Sequence, residues 1–184
     1  TIPTMRLFFA LWPSPAAAER LASAATDAAA RLGGRPTRLE TLHLTLAFLG
    51  EVADERVPGL LALATNLPAA PFELRIDQPG YWRRNCLFWA GCSNVPAPLD
   101  TLAAELRQRL GTAGFAVSNG ERLFTPHITL VRKIPEIARN VVLPAIEPVE
   151  WRCSDFVLVR SQLSEQGPSY EPLARFALTT DCDR

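Results

Sequence analysis

The chain has 184 residues, of which 48% are hydrophobic, enough to build the core of one domain. Its 19 basic and 19 acidic residues give a formal net charge of zero, which disfavours a protein that coats long nucleic acid, because such binding needs a basic excess. The sequence shows no apolar run of about 18 residues for a membrane helix and no signal peptide at its N-terminus, so we expect a cytoplasmic protein without a membrane partner.

The first half of the chain predicts strands and helices in alternation. LFFALW, Leu7 to Trp12, is typical of a buried strand. Ser14 and Pro15 then mark the start of an Ala-rich helix that runs to Leu32 and ends at two glycines. A strand follows over about Leu42–Leu49, a helix lies between Asp54 and Leu67, and the alternation of Phe72, Leu74 and Ile76 predicts a half-buried strand.

The second half predicts a similar series. Cys86–Ala90 is a strand, and the apolar residues of the segment after Pro98 share one helix face up to Gly111. FTPHITLVRK predicts another strand, the proline-rich stretch Ile134–Pro148 predicts a loop, and two last strands are expected near Arg152–Val159 and Leu173–Thr180.

These series form a weak internal repeat. LFFALW, helix, HLTL in one half corresponds to CLFWAG, helix, HITL in the other. We therefore expect one α+β domain over residues 1–184, with two lobes related by a pseudo-twofold axis and repeat halves of roughly 5–80 and 85–180. The sheets should be mainly antiparallel, with helices on the outside and a cleft in the centre. We also expect a monomer.

The only two histidines of the chain lie in the same tetrapeptide pattern, His43-Leu44-Thr45-Leu46 and His127-Ile128-Thr129-Leu130. A single histidine on an apolar strand is more often a core residue, but a matched pair indicates function. Residues i and i+2 of a strand share a face, so each motif should present an imidazole beside a hydroxyl. Two such units facing each other would form one small site.

Acid–base cleavage of a phosphodiester suits this set of groups. One neutral imidazole can remove a proton from the attacking oxygen while one imidazolium protonates the leaving oxygen. The threonine hydroxyls can hold the phosphate oxygens. A zinc site is disfavoured because the motifs hold no further ligands, and we expect neither a metal nor a cofactor. The four cysteines form no Cys-x-x-Cys pair and are expected to be free thiols.

Four further residues are candidates for substrate binding. Arg132 lies five positions after His127, where strict alternation would turn it to the opposite face, so a role in the site requires a twist or a strand end. Phe48, at the equivalent position after His43, is either a stacking surface or core. Trp12 either lines the cleft or closes the core, and the role of Tyr170, after a turn expected at Pro168 and Ser169, stays open. Tyr81-Trp82-Arg83-Arg84 is either a nucleic-acid contact or a solvated turn.

The two motifs, together with RLFFALW, LHLTLAFLGEV, TPHITLVR and SYEPLARFAL, resemble the two-histidine phosphoesterase superfamily over nearly the whole chain. Within it the sequence is similar to the bacterial RNA 2′,3′-cyclic phosphodiesterases, historically called 2′-5′ RNA ligases. The resemblance implies a bilobal α+β fold and metal-free hydrolysis of RNA 2′,3′-cyclic phosphates to 2′-phosphates. It further implies His43 as proton donor, His127 as proton acceptor, and Thr45 and Thr129 as phosphate ligands.

Three functions remain open on the sequence. Hydrolysis of RNA ends or small cyclic nucleotides, with tRNA fragments among the candidates, is the leading one. Joining of RNA ends through a 2′-5′ linkage would use the same groups, and a non-catalytic module that binds RNA ends is the third.

Overall fold

The computed structural model describes residues 1–118, 123–137 and 139–180. Within them lie ten strands and three α-helices, with short 3₁₀ turns at Leu39–Thr41, Asp54–Arg56 and Arg83–Asn85. The strands are β1 Thr4–Leu11, β2 Arg35–Pro36, β3 Leu44–Ala53, β4 Phe72–Ile76, β5 Gln78–Trp82, β6 Leu87–Gly91, β7 His127–Arg132, β8 Val149–Cys153, β9 Asp155–Ser164 and β10 Gly167–Ala177. The helices are α1 Pro15–Leu32, α2 Val57–Ala64 and α3 Ala97–Thr112. None of the described helices is long and apolar enough to cross a membrane.

An antiparallel sheet in the order β10-β9-β1-β3-β7-β6-β5 forms the body of the protein, with β2 paired to β7. A second sheet pairs β4 with β8. The inner strands are arranged symmetrically about the β3–β7 contact, because each motif strand is flanked by the first strand of its own repeat, β1 or β6. These features confirm the predicted α+β class with antiparallel sheets.

The outer strands do not follow the halves of the chain. β9 and β10 come from the end of the sequence but lie beside β1, while β5 precedes β6 and pairs with it. The boundaries 5–80 and 85–180 thus describe the sequence repeat, whereas the sheet mixes strands of both segments.

Helix α1 begins where the sequence predicts, because the Ser14 hydroxyl accepts a hydrogen bond from the Ala17 N–H at 3.3 Å and Pro15 occupies the first turn. The helix ends at Gly33, whose φ of 77° is left-handed. Its small buried face packs on β7, the motif strand of the other repeat. Helix α3 packs in the corresponding way on β3, so each helix supports the motif strand of the opposite repeat.

The main hydrophobic core lies between this sheet and the helices. Alternate residues of β1, Leu7, Phe9 and Leu11, belong to it and are fully buried. The residues between them, Phe8 and Ala10, belong to a small separate cluster on the opposite face. That opposite face forms the floor of the cleft.

Several predicted elements differ from the structure. The expected strand Arg152–Val159 is two strands, β8 and β9, separated at Ser154. The turn expected at Pro168 and Ser169 is wrong, because both lie in β10. This strand lies at the edge of the sheet, where a proline disturbs no second ladder. No sequence pattern indicated β5, because its Pro79-Gly80 suggests a turn. Cys182 lies outside the described residues, and Cys86, Cys92 and Cys153 are free thiols.

A substitution at Gly80 tests the packing of β5 on β6. A Cβ at this position would lie 2.1 Å from the Trp89 ring, so Gly80→Ala should force the ring to move and destabilise the protein by about 1–3 kcal/mol. Gly59→Ala in α2 is the matched control, because a Cβ there meets nothing within 4 Å. Alanine should stabilise that helix by about 0.5–1 kcal/mol. Urea unfolding of both variants measures the difference, and an equal effect at both positions would contradict the close contact.

Candidate active site

The two motif strands touch at a single ladder position. Leu44 of β3 pairs with Ile128 of β7 in antiparallel orientation. If this antiparallel register is extended by one residue in each direction, His43 lies beside Thr129 and Thr45 lies beside His127. Leu44 and Ile128 are fully buried in the core, whereas the four motif side chains are half-buried. All four therefore project from the cleft face within one small area.

Both motif strands carry a β-bulge at the same place. Phe9 and Ala10, which are adjacent in β1, pair with Ala47 and Thr45 of β3, so Leu46 is the extra residue of β3. In the same way, the adjacent residues Phe88 and Trp89 of β6 pair with Val131 and Thr129, so Leu130 is the extra residue of β7. Each bulge lies three positions after the histidine. It reverses the alternation beyond that point, so that the residue five positions after the histidine returns to the cleft face.

The two residues that return to the cleft face, five positions after each histidine, are Phe48 and Arg132. Phe48 packs against the cleft-face cluster and lines a cavity together with Thr45 and His127. Arg132 is exposed, and its charge acts on both histidines. The bulge at Leu130 supplies the twist that a role for Arg132 in the site requires.

A backbone carbonyl orients each imidazole. The Nδ1–H of His43 donates to the carbonyl oxygen of Thr41 at 2.7 Å, and that of His127 donates to Thr125 at 2.8 Å. Because a carbonyl can only accept, Nδ1 bears the proton in both rings and Nε2 is left as the basic nitrogen. The Nε2 of His43 lies 3.0 Å from the Thr45 hydroxyl. The Nε2 of His127 has no hydrogen-bond partner among the described residues.

Aromatic rings enclose His43. Trp12 stacks on its imidazole with ring centroids 5.2 Å apart and an angle of 13°, while Tyr170 stands edge-on at 5.2 Å. The centroid of the Phe8 ring lies 4.9 Å from that of the His43 imidazole. Trp12 and Tyr170 thus both lie beside the first motif histidine. The sequence analysis does not single out Phe8, although its position between the core residues Leu7 and Phe9 of β1 places it on the cleft face.

Two tryptophans enclose His127. The Trp82 ring stands at 72° to the imidazole with centroids 4.4 Å apart, and Trp89 lies at 6.0 Å. Trp82, at the end of β5, therefore lies at the site and not in a solvated turn, while Arg83 and Arg84 are exposed in the 3₁₀ turn that follows. Trp89 was missed in the sequence, because only the register of β6 with Thr129 brings it to this face.

Burial keeps both histidines neutral. Desolvation lowers the pKa of His43 to about 4, against the hydrogen bond to Thr41, and the charges of Arg132 and His127 lower it further. Desolvation also lowers the pKa of His127, assisted by Arg132. Since the unfolded chain takes up these protons near the ordinary histidine pKa of 6.5 and the folded chain does not, the free energy of unfolding should fall as the pH drops from 6.5 toward about 4.

A cavity of about 570 Å³ adjoins the imidazole of His127. This His127 cavity is lined by Thr45, Phe48, Tyr81, Trp82, Arg83, Arg84, Asn85, Arg107, Ser118, Leu123, Phe124, Thr125 and His127. Arg107 reaches it from α3, where its Nε donates to the carbonyl oxygen of the bulged Leu46 at 3.2 Å and its guanidinium lies over the Phe124 ring. No sequence pattern indicated Arg107 or Phe124, because only the packing of α3 on β3 brings them to the site.

A smaller cavity of about 190 Å³ lies on the side of His43. This His43 cavity is lined by Trp12, Glu40, Val157, Val159, Tyr170, Pro172 and Arg175. The His127 cavity is thus lined by the imidazole itself, whereas the His43 cavity is bordered by Trp12 and Tyr170, the rings that pack on His43.

Other reactive groups lie outside this cleft. Among the residues that the structure describes, no three His, Cys, Asp or Glu side chains lie close enough together to hold a metal ion. Burial raises the pKa of the Cys92 thiol to about 11 and that of Cys153 to about 12. Neither thiol is therefore a ready nucleophile at neutral pH.

Comparison with known proteins gives consistent matches. A sequence model of the 2′-5′ RNA ligase superfamily matches residues 12–165. The RNA 2′,3′-cyclic phosphodiesterase of Escherichia coli (strain K12) is 38% identical over 146 residues, which cover 79% of this chain and 81% of that protein. The enzyme of the same name from Thermus thermophilus is 34% identical over 181 residues, which cover 95% of this chain and 90% of that protein.

Among solved structures, the crystal structure of E. coli LigT complexed with 3′-AMP superposes with a TM-score of 0.87 at 35% sequence identity. The match covers 97% of this chain and 100% of that one. The two structures therefore share the same overall fold.

The lowered pKa of His43 predicts how the cleft binds an anion. An oxyanion beside the imidazole favours its protonated form, so binding must raise the pKa of His43, and by linkage the anion must bind more tightly as the pH falls. Sulfate is a suitable probe because it stays a dianion throughout the neutral and mildly acidic range. We expect its affinity to increase by about tenfold per unit from about pH 7 to about pH 5 if one proton is taken up. Calorimetric titration measures this slope, and a slope retained in full by His43→Gln would contradict the assignment to His43.

Proposed function

Because the chain belongs to the 2′-5′ RNA ligase superfamily and its curated relatives are RNA 2′,3′-cyclic phosphodiesterases, we propose that it hydrolyses 2′,3′-cyclic phosphates at RNA ends to 2′-phosphates. The observation that supports this most directly is the meeting of the two motifs at Leu44 and Ile128. It brings two imidazoles and two hydroxyls, with no carboxylate among them, to one side of a rigid sheet.

In this mechanism His127 acts as the base. Its Nε2, which no described residue engages, takes a proton from a water molecule, whose oxygen attacks phosphorus as the bond from phosphorus to O3′ breaks. His43 donates its Nε2 proton to the departing O3′. The product is a 2′-phosphate with a free 3′-hydroxyl, and the two imidazoles exchange their protonation states, which solvent then restores.

His43 must be protonated to act as the donor, although its pKa is about 4 in the free protein. The substrate supplies the missing stabilisation, because the negative phosphate lies between the two imidazoles and offsets the charge of Arg132. The face of Trp12 stacked on His43 also favours an imidazolium, since a ring face attracts a cation. Protonation of His43 is therefore coupled to binding of the cyclic phosphate.

Thr45, Thr129 and Arg132 hold the phosphate in this proposal. The hydroxyls bond the non-bridging oxygens, whose charge grows in the transition state, and the guanidinium balances that charge. Trp12, Tyr170 and Phe48 form the walls of the cleft against which the nucleoside packs. RNA ends and small cyclic nucleotides both fit this description.

Both histidines should be essential, and no added metal should be needed. We expect the protein to convert 2′,3′-cyclic AMP to 2′-AMP in excess chelator, with kcat/KM lower by about 10²–10⁴-fold in His43→Gln and in His127→Gln. Chromatography identifies the phosphate position, and circular dichroism checks that the variants fold. Full activity in both variants would sink the two-histidine mechanism, and tight binding of the cyclic nucleotide without turnover would indicate a binding module instead.

Arg132 should act on both the rate and the titration of the histidines. Arg132→Met should reduce kcat/KM by about 10²–10³-fold, and it should raise the pKa of both histidines in the free protein because it removes a nearby positive charge. NMR titration of the imidazoles measures the second effect.

Lys133→Met is the matched control for Arg132. It removes the same charge from the adjacent exposed residue, which does not affect the pKa of either histidine. We expect neither effect in this control. Equal behaviour of the two variants would refute a specific role for Arg132.

A further inference from the structure

The cleft face of the sheet continues past the histidine pair to a row of polar side chains. Arg6 of β1 pairs with Ser161 of β9, and Ser161 pairs with Tyr170 of β10. Directly paired residues of neighbouring strands share a face, and Tyr170 packs with the cluster on the cleft face. The half-buried guanidinium of Arg6, the buried hydroxyl of Ser161 and the phenol of Tyr170 therefore form one donor row on this face.

The Arg6 side chain lies over the cleft and not on the carboxylate beside it. Its cross-strand neighbour in β3 is Glu51, but the Glu51 carboxylate accepts a hydrogen bond from the Thr4 hydroxyl at 2.8 Å. The Arg6 guanidinium lies instead over the Phe48 ring, with its Cζ 4.8 Å from the ring centroid. Within the described part of the chain it donates to no carboxylate or carbonyl. Its N–H groups are therefore available to an anion that enters the cleft.

Positive charge gathers near the Tyr170 end of the donor row. Burial raises the pKa of the Tyr170 hydroxyl, but three nearby guanidinium groups act to lower it. They belong to Arg132, Arg6 and Arg38. Arg38 already donates to a backbone carbonyl of β10 and forms an ion pair with Glu40 at 3.3 Å, and Arg132 is assigned above to the reacting phosphate. Of these three charges, that of Arg6 has neither a protein acceptor nor a role in the hydrolysis.

The walls of the nucleoside site lie between the histidines and the donor row. The Tyr170 ring extends from one to the other, because its centroid is 5.2 Å from that of the His43 imidazole while its strand position belongs to the row. Phe8, whose ring lies 4.9 Å from His43, is two residues of β1, or roughly 7 Å, from Arg6. In an RNA strand, one nucleoside separates the terminal cyclic phosphate from the preceding phosphate. A nucleoside packed against Tyr170 and Phe48 can thus extend its 5′-phosphate to Arg6.

We propose that the donor row binds the phosphate on the 5′ side of the terminal nucleotide, so that the enzyme selects RNA ends over free cyclic mononucleotides. This proposal rests on the function given above. Arg6 offers two parallel N–H groups to the phosphate oxygens, and the hydroxyls of Ser161 and Tyr170 donate to the same group. These contacts reach only the backbone of the substrate and read no base. Because they are remote from the reacting atoms, they are equally strong in the ground and transition states and lower KM without raising kcat.

The test compares two dinucleotide substrates of the full chain. Both join deoxyadenosine to adenosine 2′,3′-cyclic phosphate, one through an ordinary phosphodiester and the other through an uncharged methylphosphonate. The bases and the reacting group are the same, so the comparison isolates the charge that the donor row binds. We expect kcat/KM to be about tenfold or more higher for the phosphodiester, with the difference in KM. In Arg6→Met, which keeps an apolar side chain over Phe48, this ratio should fall to about twofold or less.

Arg20→Met is the matched control, because it removes the same charge from an exposed position of α1, outside the cleft. The ratio should keep its wild-type value in this variant. A ratio near one in the wild-type protein, a ratio that Arg6→Met does not lower, or an equal fall in both variants would each overturn the subsite while leaving the hydrolase intact. Failure of the wild-type protein to hydrolyse either substrate would overturn the hydrolase itself.

Discussion

The pairing of Leu44 with Ile128 is the contact on which the site depends. It is the one ladder position that β3 and β7 share, and both side chains are fully buried against the helices. In a strand the neighbours of a buried residue point to the other face, so burying these two side chains turns both histidines and both threonines toward the cleft. Core packing and the geometry of the candidate site are therefore one constraint, because a shift of either strand by one residue would bury its motif side chains and expose Leu44 or Ile128.

The paired bulges extend this constraint to the rest of the cleft. Each adds one residue, Leu46 or Leu130, to the motif strand relative to the neighbouring strand, β1 or β6. The extra residue allows two consecutive side chains to face the core and returns the next one to the cleft. It also leaves the Leu46 carbonyl to accept from Arg107, which connects helix α3 to the motif strand. The geometry of the candidate site is thus supported from the opposite repeat.

Much of this arrangement could be predicted from sequence, and what could not has physical reasons. The motif strands, the helix from Pro15 and the cleft position of four side chains follow from local alternation and capping. Arg132 and Phe48 stayed ambiguous because a bulge is a property of two paired strands and has no local signature in Leu46 or Leu130. Pro168 suggested a turn because a proline disrupts a central strand. It is tolerated in an edge strand, and the local sequence does not show which strand lies at the edge of the sheet. Trp89, Phe124 and Arg107 reach the site only through register and helix packing, which connect distant segments.

The two nearly identical motifs lie in different surroundings. At the position five residues after the histidine, one repeat has the ring of Phe48 and the other the charge of Arg132. His43 has its Nε2 beside the Thr45 hydroxyl and its face on Trp12, and burial lowers its pKa to about 4. In the mechanism proposed above, it gains a proton when the anionic substrate binds. The Nε2 of His127, which pairs with none of the described residues, lies next to the larger cavity, where the attacking water of the proposed mechanism has room. Symmetry brings the two imidazoles together, and in the proposed mechanism the asymmetry of their neighbours determines which one is charged when the substrate is bound.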